Sequence, residues 1–338
     1  MPRISVLLPC YNAAETLVEA LESLACQTLS DFEVIAIDDG SSDATAFLLQ
    51  AWAKGDPRLR LLEQPHRGII RALNLGLSKS QGQYIARMDA DDRCDPARFE
   101  RQASLLDQRP EIALASCLVS GFPQDQVREG FQVYLDWQNS LITDQEIRRE
   151  IFIESPFAHP SVMMRREWLV RLGGYEEHGW PEDYDLWLRM FLAGAAFAKV
   201  PEVLLMWREH PNRLTRQDSR YAVENFLRLK AHYLVQGPLQ GRDAVLIWGA
   251  GMMGRRLGKQ LERVGAPLAA YIDIDPRKIG RTRRGCPVVA PEALLALWQR
   301  YTHPVILAAV GARGARGLIR GRLNAFGLVE GKDWWGVA

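Results

Sequence analysis

Four aspartates stand at positions 89, 91, 92 and 95, directly behind the apolar stretch QYIARM, which reads as a β-strand. Like charges at that density repel, so the residues themselves call for a positive species. In an Asp-Ala-Asp turn beyond a strand, the carboxylates of Asp89 and Asp91 can reach one divalent ion while small Ala90 leaves room for a ligand. Hard oxygen donors of this kind suit Mn2+ or Mg2+, which also take phosphate oxygens. A solvated acidic turn has the same spacing, and spacing does not separate the two. Asp95 and Pro96 read as the N-cap and first position of the helix ARFERQASLLDQ. A second acidic pair, Asp38-Asp39, closes the strand FEVIAI. A third, Glu182-Asp183, precedes an apolar helix, where acids favour the N-terminal end through the helix dipole and where one could also serve as a general base.

The elements that must position these acids alternate along the chain. ISVLLP, FEVIAIDD, LRLLEQ and QYIARMDA read as strands; AETLVEALESLACQ, SSDATAFLLQAWAK and IIRALNLGLSKS read as the helices between them. That order predicts an α/β fold with a mostly parallel sheet and helices on both faces. Ligands of such sheets bind beyond the carboxyl ends of the strands, and both Asp38-Asp39 and Asp89 to Asp92 lie at such ends, so one shared cleft is expected.

The bulk properties agree with a two-domain chain. Of 338 residues, 47% are hydrophobic and 25% charged, as in an ordinary globular protein. The overall charge of +1 hides an asymmetry: residues 241–338 carry 16 basic and 7 acidic residues, while residues 1–240 carry 26 and 34. A short Gly/Pro-containing stretch, QGPLQGRD, marks the predicted boundary, giving domains 1–238 and 239–338. The five cysteines are scattered and form no Cys-x-x-Cys pair, which points away from a disulfide framework or zinc site. No signal peptide or membrane-spanning run is read, so the expected location is the cytoplasm, with room for contact at the inner membrane face.

Behind the boundary, DAVLIWGAGMMGRRLGKQL places Gly249, Gly251 and Gly254 in a Gly-x-Gly-x-x-Gly turn between a strand and a helix. A second strand, LAAYIDID, ends in Asp273 and Asp275. This is the context of a dinucleotide-type turn, with a helix N-terminus facing phosphate and an acid facing ribose hydroxyls. Three or four strands are read here, about half a Rossmann sheet. Nucleotide or nucleotide-sugar binding and a structural or dimerising role both fit. Arg281, Arg283 and Arg284 suit phosphates, an anionic membrane surface or a solvated loop.

Five stretches in order, VLLPCYNAAETLVEALESLACQT, VIAIDDGSSDAT, RGIIRALNLGLSKSQGQYIARMDADDRCDPARFERQ, HPSVMMRRE and GGYEEHGWPEDYDLWLR, together resemble glycosyltransferase family 2, the inverting enzymes of the GT-A fold. The likeness runs from about residue 3 to about 215 and is nearest to bacterial enzymes that build surface polysaccharides and lipid-linked oligosaccharides. It implies transfer of a sugar from a nucleotide diphosphate sugar to a hydroxyl of a saccharide or lipid-linked glycan, with a divalent metal and no nucleic acid. By position, it puts Pro9, Tyr11, Asn12 and Glu15 at base and ribose, and makes Asp39 the acceptor of a hydrogen bond from the base. Arg67 and Gly68 fall in the loop that approaches base and phosphates. Asp91 becomes the direct metal ligand, Asp89 a ligand to ribose or metal, and His210 a further ligand near the diphosphate. Asp183 becomes the base, with Glu182 orienting it or the acceptor; His159 and Trp180 fall on the acceptor side. The chain departs from the family pattern at Leu73, where an arginine is usual, leaving Arg71 as the substitute.

Two other readings compete with this one. A sugar-1-phosphate nucleotidyltransferase would carry a Gly-rich pyrophosphate loop where LLPCYNAAET stands. A non-catalytic nucleotide-sugar sensor would bind through the C-terminal glycine turn, and the intact Asp89, Asp91 and Asp183 argue against it.

Overall fold

The computed structural model describes residues 1–338. Near-continuous apolar runs make β1 (Ile4–Cys10) and β2 (Phe32–Asp38) strands buried on both faces, as strands in the middle of a parallel sheet must be. They are followed by β3 (Leu59–Glu63), β4 (Tyr84–Arg87), β5 (Arg93–Cys94), β6 (Ile112–Phe122), β7 (Met163–Arg165) and β8 (Ala196–Arg208). The eight strands form one sheet in the order β3-β2-β1-β4-β7-β6-β8-β5. β3, β2, β1 and β4 run parallel, as do β6 and β8, while β7 and β5 are antiparallel to their neighbours. Strand order reverses between β1 and β4, the kind of switch point outside whose strand carboxyl ends open α/β sheets bind ligands.

The connecting helices, Leu17–Ala25, Thr45–Gly55 and Ile69–Lys79, lie where the periodicity predicts them. The helix after the aspartate run starts later than predicted, at Arg98 rather than Pro96. Asp95 caps from outside it: its Oδ1 accepts the Ala97 amide at 2.9 Å, a local Asx turn that the residue types allow equally well.

The chain divides into two compact units. The first comprises Met1–Ile147, Pro156–His178 and Glu182–Gln217; the second comprises Arg148–Ser155, Gly179–Pro181 and Asp218–Ala338. The second unit therefore starts ahead of the Gly/Pro stretch at 235–242. The reason is packing: the helix Val223–Gln236 lies against the helix Met252–Arg263, with Glu224 accepting from Gln260 at 3.2 Å. Gly and Pro mark where secondary structure breaks, not where side-chain contacts end. Two excursions from the middle of the chain complete this unit. Glu150 pairs with Arg316 and Arg320 at 3.0 and 2.8 Å, and buried Lys230 donates to the Ile153 and Val337 carbonyls.

Its sheet holds β9 (Ala244–Trp248), β10 (Leu268–Ile272), β11 (Thr282–Arg283), β12 (Cys286–Val289), β13 (Pro304–Ala308) and β14 (Trp334–Gly336), ordered β11-β12-β10-β9-β13-β14. It is a Rossmann-like sheet, larger than the three or four strands read from sequence. Three-residue β14 has too little pattern to be read, and it is set by pairing along β13. In the glycine turn, a Cβ on Gly254 would sit 1.8 Å from the Gly249 carbonyl oxygen, so only glycine lets helix and strand meet this closely.

Candidate active site

The apolar run of β4 ends on two charges. Arg87 is 1% exposed, and its guanidinium pairs with Asp89 at 2.6 Å. Asp91 turns the other way, its Oδ2 2.8 Å from His210 Nε2. Buried Asp92 accepts the Arg208 amide through Oδ1 at 2.7 Å, while its Oδ2 has no partner. Arg208 Nε also donates to the Asp91 carbonyl at 2.6 Å, and its guanidinium reaches Glu19. The turn is thus pinned by β8 with its carboxylates held close together: one ligand atom from each of Asp89, Asp91 and Asp92 lies within 4.8 Å of the others. Burial first, and then the neighbouring acids, hold the Asp92 carboxyl well above the usual carboxylate range. Burial also raises Asp89, against the pull of Arg87. Three oxygen donors with a buried, unpartnered oxygen among them fit a hard divalent cation, which would remove that mutual repulsion.

The second acid pair opens the helix Glu182–Leu192. Glu182 is 1% exposed, and Asp183 Oδ1 accepts the Tyr184 amide at 2.7 Å. Burial, and after it the charge of Glu182, pushes the Asp183 carboxyl up to about 8. His159 lies 3.9 Å from Glu182 through Nδ1, and its Nε2 meets the Tyr175 hydroxyl at 3.0 Å. Burial, and after it the charge of Arg87, keeps His159 well below its ordinary range and hence neutral. Arg87 bears electrostatically on Tyr175, Glu182 and Asp183 as well as Asp89, so one buried cation serves both acid groups.

Tyr175 is held by Asn74, whose side chain bonds both the Tyr175 amide (3.0 Å) and its carbonyl (2.8 Å). Arg87, Tyr175, Arg208 and Glu19 contact the candidate residues or one another, and the sequence reading left them without a role. A lone arginine inside an apolar strand was a legible signal for Arg87; the others are brought in by tertiary contacts alone.

The loops after β1 and β2 hold the residues expected at the base. Tyr11 is 48% exposed, so it is not a core aromatic. Asn12 has a left-handed backbone (φ 48°) and braces the two loops, its Oδ1 accepting the Ser42 amide at 2.8 Å. Pro9, next to last in β1, is in register with Ile37, and Glu15 is exposed. Asp39 is buried and fully bonded: Oδ1 accepts from Gln64 Nε2 (2.5 Å) and the Arg67 amide (2.9 Å). Its Oδ2 accepts from the Gly68 amide at 2.8 Å, while His66 Nδ1 meets the Asp39 backbone carbonyl at 3.1 Å and lies 2.8 Å from Oδ2. The amides of Arg67 and Gly68 are therefore directed at Asp39. Gly68 is needed for its φ of +83°, since nothing lies within 4 Å of a Cβ there. Leu73 is fully buried, whereas Arg71 is exposed, as residues about 200° apart on one helix should be.

Trp180 belongs to the second unit, its ring 5.2 Å from that of His232 and beneath the Arg228 guanidinium. In the glycine turn, Asp273 is engaged on both oxygens: Oδ2 by the Ala250 amide (2.8 Å) and Lys278 (3.0 Å), Oδ1 by the Asp275 amide (2.9 Å).

A mostly parallel sheet with acidic residues beyond the ends of its central strands is the layout of the GT-A fold, and the comparisons agree. The family model described as glycosyl transferase family 2 matches residues 5–173. The amylovoran biosynthesis glycosyltransferase AmsE of Erwinia amylovora is 33% identical over 60% of this chain and 75% of that protein. A UDP-Gal:alpha-D-GlcNAc-diphosphoundecaprenol beta-1,3-galactosyltransferase of Escherichia coli is 27% identical over 69% of this chain and 82% of that protein. Among solved structures, residues 1–349 of TarS from S. aureus in complex with UDP-GlcNAc align with a TM-score of 0.57 at 18% identity, covering 78% of this chain and 72% of that one. The chain belongs to glycosyl transferase family 2 and is a glycosyltransferase. No helix is long and apolar enough to cross a membrane.

Proposed function

We propose that this glycosyltransferase works with inversion, moving a sugar from a nucleoside diphosphate donor to a hydroxyl of a saccharide or lipid-linked glycan in bacterial polysaccharide assembly. The observation that carries the reading is the presence, on one unit, of an oxygen-donor trio within 4.8 Å and a separate acid, Asp183, pushed up to about 8. A group near that value is a competent base at neutral pH. Asp183 takes the acceptor hydroxyl's proton as its oxygen bonds the anomeric carbon from the face opposite the leaving group. The bond to the diphosphate oxygen breaks, and the diphosphate leaves with the electron pair. Glu182 sets the orientation of the base, and neutral His159 lines the acceptor side.

On the donor side, Pro9, Tyr11, Asn12, Glu15 and Asp39 hold base and ribose, and the loop at Arg67 and Gly68 follows the diphosphate. Asp91, Asp89 and His210 are the residues to hold Mn2+ or Mg2+, which supplies counter-charge for the departing diphosphate. The names of the relatives support a glycan or lipid-linked acceptor, and with Leu73 buried, exposed Arg71 is left as the phosphate contact of that helix. A second nucleotide site at Gly249, Gly251 and Gly254 would require Asp273 to leave the Ala250 amide, so we assign that turn a structural role.

The deciding experiment is Asp183→Asn. Transfer should fall by about three orders of magnitude while nucleotide-sugar affinity stays within about twofold, because a base acts on the acceptor. Near-normal turnover in that variant would sink the assignment.

A further inference from the structure

The large apolar side chains that the second unit leaves in water are not scattered over it. Leu318 is 79% exposed, Ile274 73% and Met252 57%, the three highest values among such residues of that unit. Sheet register brings their positions to one edge. β10, β9 and β13 are parallel neighbours, and their last residues, Ile272, Trp248 and Ala308, lie level with one another. Ile274 stands two residues past β10, and Met252 opens the helix that follows β9. Leu318 is the fourth residue of the helix Ala315–Ala325, which follows β13. All three therefore sit at the carboxyl edge of the second sheet, each on its own connection.

Positive charge gathers at the same edge. The stretches 249–256, 273–281 and 310–318 hold seven basic residues and two acidic ones. The two acids are already spent locally, Asp273 on the Ala250 amide and Lys278, Asp275 on Arg277. Arg256 and Arg316 pair with Glu224 and Glu150 at 3.4 and 3.0 Å. Arg255 and Arg281 are exposed and pair with no acid. Basic residues thus exceed the acids available to them just where the apolar tips stand.

This combination selects the occupant. A stable second copy needs a continuous face of about 800 Å2 per partner with a dry, packed centre, and single tips on separate loops do not supply one. A bilayer surface takes such tips one at a time into the zone between headgroups and acyl chains, while anionic headgroups attract the cations around them. We propose that the carboxyl edge of the second sheet docks on an anionic phospholipid surface, with Met252, Ile274 and Leu318 entering the headgroup zone and Arg255 and Arg281 facing lipid phosphates. The contact is peripheral, since no helix is long and apolar enough to cross a membrane. It goes beyond the transfer reading and uses none of the residues assigned to donor, metal or base.

The test is cosedimentation of the full-length protein with vesicles of phosphatidylcholine alone, or of phosphatidylcholine and phosphatidylglycerol in equal parts, without nucleotide or metal. The parent should partition at least about tenfold more strongly into the anionic vesicles, and high salt should remove most of that preference. The triple variant Met252→Ser, Ile274→Ser, Leu318→Ser should lose about tenfold or more in partition, because its apolar tips no longer enter the interface. Arg255→Gln with Arg281→Gln should lose at least about tenfold, at roughly fivefold for each cation. Val264→Ser with Val329→Ser changes exposed valines that lie before β10 and β14, at the amino edge, and should stay within about twofold of the parent. Leu318→Ser alone serves if the triple variant does not fold. No partition of the parent, equal partition into both vesicle types, or an equal loss in the valine variant overturns the proposal. So does a loss confined to the arginine variant, which would mean phosphate binding without insertion. A dimer of the parent that the triple variant disperses in sedimentation velocity would give the edge to a second copy and overturn it as well.

Discussion

Two turns in this molecule look alike as sequence: each follows a parallel strand, and each carries aspartates just past the strand end. After β4, Asp89, Asp91 and Asp92 crowd together with an unpartnered oxygen among them, and burial drives Asp89 and Asp92 upward. After β10, burial also works against the Asp273 charge, but the Asp275 amide, Lys278 and the Ala250 amide outweigh it and hold that carboxyl below its usual range. Asp275 is likewise lowered, chiefly by its bond to Arg277. One turn has negative charge left over and the other has none. Surplus charge on a pinned backbone is a binding site in waiting; balanced charge is a fastening.

The sharpest way to break that contrast is the same substitution in both turns. Asp91→Ala should weaken Mn2+-dependent nucleotide binding by about a hundredfold, the scale of losing a metal ligand or its close support. Unchanged binding and rate in that variant would remove Asp91 from the ligand set. Next in size is pH. With Asp183 at about 8, kcat should rise close to tenfold per unit below that value and level off above it, since only the carboxylate accepts a proton.

The same shift has a stability cost of known sign. The folded value lies above the ordinary 3.8, so the native state holds that proton more tightly; its stabilisation is complete below 3.8 and is lost as pH rises toward 8. Asp183→Asn should therefore melt higher than the parent by an increment growing from pH 5 to pH 8, about 1–3 kcal/mol at the top. A flat difference across that range would contradict a buried, protonated acid.

The smallest effect is expected at the fastening. Asp273→Ala should lose about 1–2 kcal/mol of stability at pH 7, because the Ala250 amide and Lys278 are left unpaired. Its folded value is lowered, so that contribution is present above the ordinary 3.8 and fades as pH falls through the folded value. Thermal unfolding at pH 7 and pH 3 measures it. An equal loss at both would mean that packing, not charge, holds the turn.

Much of the fold was legible because its signals are local. β1 to β4 and their helices follow from apolar runs, caps and alternation, and the three acidic clusters are visible as residue types at strand and helix ends. β14 was not legible, since three residues carry no period, and neither was the boundary at Asp218, since helix-on-helix packing leaves no compositional mark. The site was half legible. Asp89, Asp91, Asp183 and His210 can be named from the sequence through a family likeness, and Arg87 shows there as a lone arginine in an apolar strand, but Tyr175 on His159 and Arg208 on the aspartate turn cannot be read.

What the amino-acid sequence determined by itself is which groups are present and which backbone elements carry them, because hydrophobic periodicity and turn chemistry act over a few residues. What only the tertiary structure decided is which charges are compensated. The pairing of Asp39 with His66, of Asp91 with His210 and of Asp273 with Ala250 spans 27, 119 and 23 residues. A carboxylate's availability depends on partners brought to it through space, and desolvation acts only once the fold has closed around it.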